Sequence, residues 1–264
     1  MPDRKTALIT GASFGIGLEL ARIFAREGHN LVLVARSADK LRQLASELEK
    51  AHGTRSLILA ADLSDPGAAA YVLDQTTRAN IAVDILVNDA GFGQYGFFVD
   101  NDLEECLKQI QLNITTLTHL TRLYLPEMIA RVRSEGGNAR VLNVASTAAF
   151  QAGPLMAVYY ATKAYVLHFS EAIANELQGT GVTVTCLCPG PTATEFQERA
   201  KITGIRLTTF GTMDPRTVAE DGYRGLMAGK PVVISGFKNW LVAQSVRFAP
   251  RRLVTAIARK LQEQ

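Results

Sequence analysis

Residues 5–17 read KTALITGASFGIG, and the reading of this stretch decides the fold. KTALIT is a short β-branched and leucine-rich run, it stops at Gly11, and the segment IGLELARIFAREG that follows has the apolar period of a helix. A strand that passes through glycines into a helix N-terminus brings backbone close to a ligand and aims free N–H groups and the positive dipole end at it. The pyrophosphate of a dinucleotide suits that arrangement. A tight turn with packing glycines is the competing reading, because the spacing in residues 10–17, T-G-x-x-x-G-x-G, is not the commoner G-x-G-x-x-G.

Outward from this stretch the same unit repeats. NLVLVAR, RSLILAA, DILVNDAG, ARVLNVAS, VTVTCLCPG and KPVVISG are short apolar runs, each preceded by a segment long enough for a helix. Such alternation predicts a parallel sheet of about seven strands covered by helices on both faces, and the unbroken apolar character of the strands agrees with burial on both sides. The expected fold is α/β, a single-domain Rossmann-like doubly wound sheet over residues 1–237. Ligands of open α/β sheets bind beyond the strand C-termini, where Gly11, Arg36, Asp62, Asn88, Ser146 and Pro189 fall.

Composition narrows the function. The 264 residues, 47% apolar, suffice for one sizeable core, and a net charge of +3 gives no broad basic face for nucleic acid. Cys106, Cys186 and Cys188 form no C-x-x-C pair, and His29, His52, His119 and His168 are scattered, so packing thiols and no metal site are expected. The first residues lack a signal-peptide core, and no run reaches the roughly 18 apolar residues of a membrane span. A soluble cytoplasmic protein is expected. Residues 238–264 differ from the rest: six basic residues stand against one acidic, interleaved with Trp240, Leu241, Val246, Phe248, Leu253, Ile257 and Leu261. This basic amphipathic helical extension suits docking on the domain, an oligomer contact or peripheral contact with an anionic membrane.

About 20 residues past the glycines, where NAD sites keep a carboxylate for the ribose 2′-hydroxyl, the chain carries Ala35, Arg36 and Ser37. An arginine fork pairs with a phosphate, so the 2′-phosphate of NADP(H) is the expected guest, against a merely solvated arginine. Residues 159–163 read YYATK. On a helix Tyr159 and Lys163 lie four apart on one face, while Tyr160 is three from Lys163, and helical geometry alone leaves both hydroxyls open.

The T-G-x-x-x-G-x-G pattern with Y-x-x-x-K resembles the short-chain dehydrogenase/reductase family, from about residue 5 to about residue 235. The resemblance selects Tyr159 as catalytic acid or base, with Lys163, Ser146 in VLNVAS and Asn113 in QLNITT completing the set. It also implies cofactor contacts at Gly11, Ser13, Gly15, Ile16 and Gly17, at Asp62 and Leu63 near the adenine, and at Asn88, Ala90 and Gly91 near the adenosine ribose. PGPTAT resembles the family's P-G-x-x-x-T, which implies that Pro189, Gly190, Thr192 and Thr194 meet the nicotinamide. NDAG at residues 88–91 departs from the family's N-N-A-G at Asp89, whose counterpart ties the central strands together. An ammonium about 4 Å from a phenol, at an effective dielectric near 20, favours phenolate by about 4 kcal/mol, or roughly three pKa units. Tyr159 is thus expected near neutrality.

The expected reaction is hydride transfer between NADP(H) and a small-molecule carbonyl or alcohol, with a non-catalytic NADP-binding sensor or scaffold as the alternative. An apolar ketone or aldehyde is expected from residues 151–159 and from a loop over 199–214 with Ile202, Ile205, Leu207 and Phe210. Family relatives imply a homodimer or homotetramer through helices around 102–130 and 159–178.

Overall fold

The computed structural model describes residues 4–200 and 211–263. Each expected run forms a strand: β1 Thr6–Thr10, β2 Asn30–Ala35, β3 Ser56–Ala60, β4 Ile85–Asn88, β5 Ala139–Val144, β6 Val182–Cys188 and β7 Val232–Ile234. All pairings are parallel, in the order β3-β2-β1-β4-β5-β6-β7. Neighbouring residues of one strand feed opposite cores. Ala7 and Ile9 of β1 join Leu31 and Leu33 of β2 and Leu20 and Phe24 of α1 (Gly15–Arg26) on one face. Leu8, Val32 and Val34 pack on the other, against Leu120, Tyr124 and Met128 of α5 (Leu117–Glu135). This two-sided burial is why the strands carry no polar alternation. The remaining helices are α2 Ala38–His52, α3 Ala68–Arg78, α4 Leu103–Ile110, α6 Ala157–Glu176, the one-turn α7 Phe196–Arg199, α8 Pro215–Met227, α9 Phe237–Ser245 and α10 Arg251–Gln262. No described helix is long and apolar enough to cross a membrane.

The chain reverses its direction of travel across the sheet between β1 and β4, the crevice in which doubly wound sheets take ligands. Asn88 and Asn143, paired in register on β4 and β5, pin it from below. Asn88 Nδ2 donates to Asn143 Oδ1 at 2.9 Å and to Thr121 Oγ1 at 3.1 Å, and Asn143 Nδ2 donates to Ser170 Oγ at 2.9 Å.

Two segments depart from the sequence expectation. The long helix from about 102 is broken by a wide turn, π-helical over Gln111–Thr116, that joins α4 to α5. Asn113 lies in it and bonds the main chain of Phe92, donating to its carbonyl at 2.9 Å and accepting from its N–H at 3.2 Å, a geometry an unbroken α-helical ladder does not offer. The basic tail folds back on the domain. Ala243 and Ala258 are buried, the Tyr95 hydroxyl donates to the Gln262 carbonyl at 2.6 Å, and the Arg259 guanidinium lies 5.4 Å from the centre of the Phe97 ring. Trp240, Leu241, Phe248, Leu253 and Ile257 stay exposed.

Candidate active site

The glycine loop closes directly on the sheet. Gly11 has a φ of +73°, a conformation that L side chains rarely adopt. A Cβ on Gly17 would stand 2.5 Å from the Gly11 carbonyl oxygen and 2.6 Å from Asp89 Oδ2, so only glycine lets α1 start this close to the β1–β4 crevice. The Asp89 carboxylate, turned toward α1, accepts from the Gly17 N–H. Burial raises that carboxyl to about 7, against the pull of the Lys163 ammonium and the Gly17 N–H. The side chain of Asp89 thus serves the helix start rather than the strand tie, which Asn88 makes with Asn143; Thr10 Oγ1 holds the main-chain N–H groups of Asp89 and Ala90 at 3.0 and 3.1 Å.

Gly11, Ser13, Arg36, Asp62, Leu63, Ala90 and Gly91 line one cavity over the strand ends, together with Phe14, Ser37 and Lys40. Arg36 Nη1 lies 3.8 Å from Asp62 Oδ2 with both groups partly in solvent, and such a pair contributes about 0–1 kcal/mol. Burial alone would raise Asp62, but the Ser64 hydroxyl at 2.6 Å, the Ser64 N–H at 2.9 Å and the Arg36 charge hold it below the usual carboxylate range. Asn88, expected at the ribose, is 3% exposed and its amide is engaged in the strand network, so its side chain does not reach the cavity.

A second cavity adjoins the first and is lined by Gly15, Ile16, Ser146, Tyr159, Lys163, Pro189, Gly190, Thr192 and Thr194. Ser146 sits just past β5 and begins the 3-10 turn Thr147–Phe150, its Oγ accepting from the Ala148 N–H at 3.1 Å. It stands near enough to the Tyr159 hydroxyl to oppose the rise of that phenol's pKa. Tyr159, in the first turn of α6, packs its ring against Phe196 with centroids 5.1 Å apart. Lys163, one turn on, is 6% exposed; its Nζ donates to the Val144 carbonyl at 2.7 Å and lies 5.8 Å from the Tyr159 ring centre. Asn113 stands behind Gly91: a Cβ on Gly91 would be 3.1 Å from Asn113 Oδ1 and 3.5 Å from Lys163 Nζ. The four residues of the expected catalytic set therefore meet around the ends of β4 and β5.

The phenol departs from expectation. Burial pushes Tyr159 above its ordinary value, with Tyr160 and the Asp89 charge adding to the rise and the Ser146 hydroxyl opposing it. The cost of an anion in a buried site outweighs the attraction of the ammonium. The ammonium itself is destabilised by burial, partly offset by Asp89, and its direct partner is a carbonyl. In this state Tyr159 is a protonated donor.

Of the substrate residues, Met156 lines the second cavity, whereas Ile202, Ile205, Leu207 and Phe210 lie outside the described residues. Sequence reasoning missed Phe196 and Gln262, which also line it. Tyr160 lines the same cavity, its ring edge-on to that of Tyr159 at 6.1 Å, but its hydroxyl accepts a hydrogen bond from the Gln262 amide.

Known proteins agree with this architecture. The family model described as short chain dehydrogenase matches residues 5–203. A short chain dehydrogenase of Pseudocercospora fijiensis is 37% identical over 194 residues, 73% of this chain and 61% of the relative's length. Among solved structures, a short-chain dehydrogenase from Sphingobium yanoikuyae in complex with NADPH is similar with a TM-score of 0.80 and 33% identity, covering 92% of this chain and 93% of that one. A 3-ketoacyl-(acyl-carrier-protein) reductase from Brucella melitensis complexed with NADH follows with a TM-score of 0.76 and 28% identity, covering 88% and 97%. A doubly wound sheet with a glycine loop and a Ser-Tyr-Lys cluster at its crevice defines a dinucleotide-linked oxidoreductase fold. The chain belongs to the short-chain dehydrogenase family.

Proposed function

We propose that the protein is an NADP(H)-dependent oxidoreductase that reduces a hydrophobic ketone or aldehyde to the alcohol, or runs the reverse. One observation carries the reading: the hydroxyls of Ser146 and Tyr159 meet in the cavity that Gly15 and Ile16 of the glycine loop also line. The residues fit a dinucleotide. Gly11 and Gly17 let α1 start close against the end of β4, Gly11, Ser13 and Gly91 line the cavity beside that start, and Arg36 offers its fork on the adenosine side. Solved relatives carry NADPH in one case and NADH in another, so the choice of NADP rests on Arg36 and on the lack of an acid at the end of β2. Thr192 and Thr194 would hold the nicotinamide end.

When bound, the dinucleotide supplies or accepts the hydride. Ser146 and Tyr159 hold the carbonyl oxygen as it gains negative charge, and each such donor contributes about 10²–10³ in rate. Tyr159, kept protonated by burial, gives its proton to that oxygen, for about 10²–10⁴ more. Lys163 holds positive charge beside the ring from its seat on Val144, and Asn113 fixes the main chain of Phe92 behind it. The apolar frame of the substrate lies against Met156, Ala148 and Phe196.

We propose further that two or more copies associate through α4 and α6, where Leu103, Leu107, Ile110 and Tyr165 stand exposed. The cytoplasm suits the free thiols of Cys186 and Cys188, 3.8 Å apart. The function is tested by NADPH consumption against a panel of apolar ketones and aldehydes. Carbonyl-dependent consumption is expected; its absence across the panel would remove the reading.

A further inference from the structure

The end of α10 reaches the second cavity, which the glycine loop also lines. Gln262 is 1% exposed and lines that cavity with Ser146, Tyr159, Met156 and Phe196. Its position is held at three points: the Tyr95 hydroxyl bonds its carbonyl at 2.6 Å, the neighbouring Arg259 lies over Phe97, and its own Nε2 donates to the Tyr160 hydroxyl. The other end of the amide differs. Oε1 is buried and has no hydrogen-bond partner among the described residues. Buried amide oxygens are paired in nearly all folds, and one left open beside a ligand cavity is a feature that a bound group completes. The neighbouring Met156, Ala148 and Phe196 make that part of the cavity apolar, with the Tyr160 hydroxyl engaged by Gln262 Nε2.

We propose that Gln262 is a specificity-determining residue, whose Oε1 accepts a hydrogen bond from a donor on the substrate, so that the enzyme selects apolar carbonyl compounds that also bear a hydroxyl or N–H group. The inference rests on the carbonyl-reductase reading and names its substrate class. An amide oxygen only accepts, so a hydroxyl is read and its methyl ether is refused. Tyr160 takes on a defined part: it holds Nε2 and leaves Oε1 to the ligand.

The test uses matched pairs, each a hydroxy ketone and its methyl ether, on cyclohexanone, decalone and perhydrophenanthrone frames that carry the hydroxyl at increasing distance from the carbonyl. For the full chain with NADPH, the ratio of kcat/KM between hydroxy ketone and ether should reach at least about tenfold for one frame or more, expressed in KM. In Gln262→Met, which keeps the volume and lacks the acceptor, the ratio should fall to within about twofold, and Gln262→Glu should restore it. Using a ratio cancels any general loss from a disturbed tail. Calorimetric binding of the same pairs to Tyr159→Phe saturated with NADPH should show the same preference without turnover. Equal treatment of every pair by the wild type, or a preference that survives in Gln262→Met, overturns the proposal while leaving carbonyl reduction intact. No reduction of any ketone, with the calorimetric preference retained, would instead overturn the reductase reading alone.

Discussion

Asp89 places its carboxylate on the N–H of Gly17, joining the end of β4 to the first turn of α1 across the dinucleotide crevice. The group faces Lys163 of α6 and the glycine loop, and burial raises it from 3.8 to about 7. An acid raised on folding is stabilising below its unfolded value and loses that contribution as pH climbs through its folded one. The predicted window is therefore about pH 4 to 7, and the loss across it amounts to at most about 4 kcal/mol. Asp89→Asn keeps the shape without the charge. Thermal unfolding of both proteins from pH 5 to 8 should show the variant gaining on the wild type as pH rises; a constant difference would contradict the buried carboxylate.

In the proposed reading Arg36 selects NADP(H). Its pair with Asp62 is long and partly solvated, so a phosphate on the ribose is the stronger partner. In Arg36→Asp, NADPH affinity should fall by about 10–100-fold, with NADH affinity unchanged or improved. Fluorescence titration of the two dinucleotides measures the ratio, and undiminished NADPH binding would remove the NADP assignment.

Leu103, Leu107 and Ile110 recur at the spacing of one helix face and all three are exposed on α4. A charge at the centre of that face costs an interface far more than it costs a solvated helix. Sedimentation should find the wild type as a dimer or tetramer and Leu107→Arg as a monomer with unchanged Tm. A wild type that sediments as a monomer at all concentrations would contradict association through α4.

The strands and the positions of Ser146, Tyr159 and Lys163 were legible because they are local: an apolar run sets each strand, and one helical turn sets the Tyr-Lys separation. What escaped reading depends on distance or on burial. Gln262 meets Tyr160 across 102 positions, and no periodicity signals that contact. The wide turn at Gln111–Thr116 sits within a helical pattern, and only the fold shows Asn113 bonded to the main chain of Phe92. Asp89 stood out as a departure, yet its partner is a backbone N–H that carries no sequence signature. The phenol was misjudged in sign because a charge can be counted from sequence and its desolvation cannot.

The two adjacent phenols separate the account most directly. Tyr159 meets Ser146 in the cavity, whereas Tyr160 holds the tail through Gln262. Single-turnover transfer from NADPH to a ketone that the wild type reduces should slow by about 10²–10⁴-fold in Tyr159→Phe and by no more than about tenfold in Tyr160→Phe. Equal rates for Tyr159→Phe and the wild type, or the larger loss at Tyr160, would contradict the assignment of the proton donor.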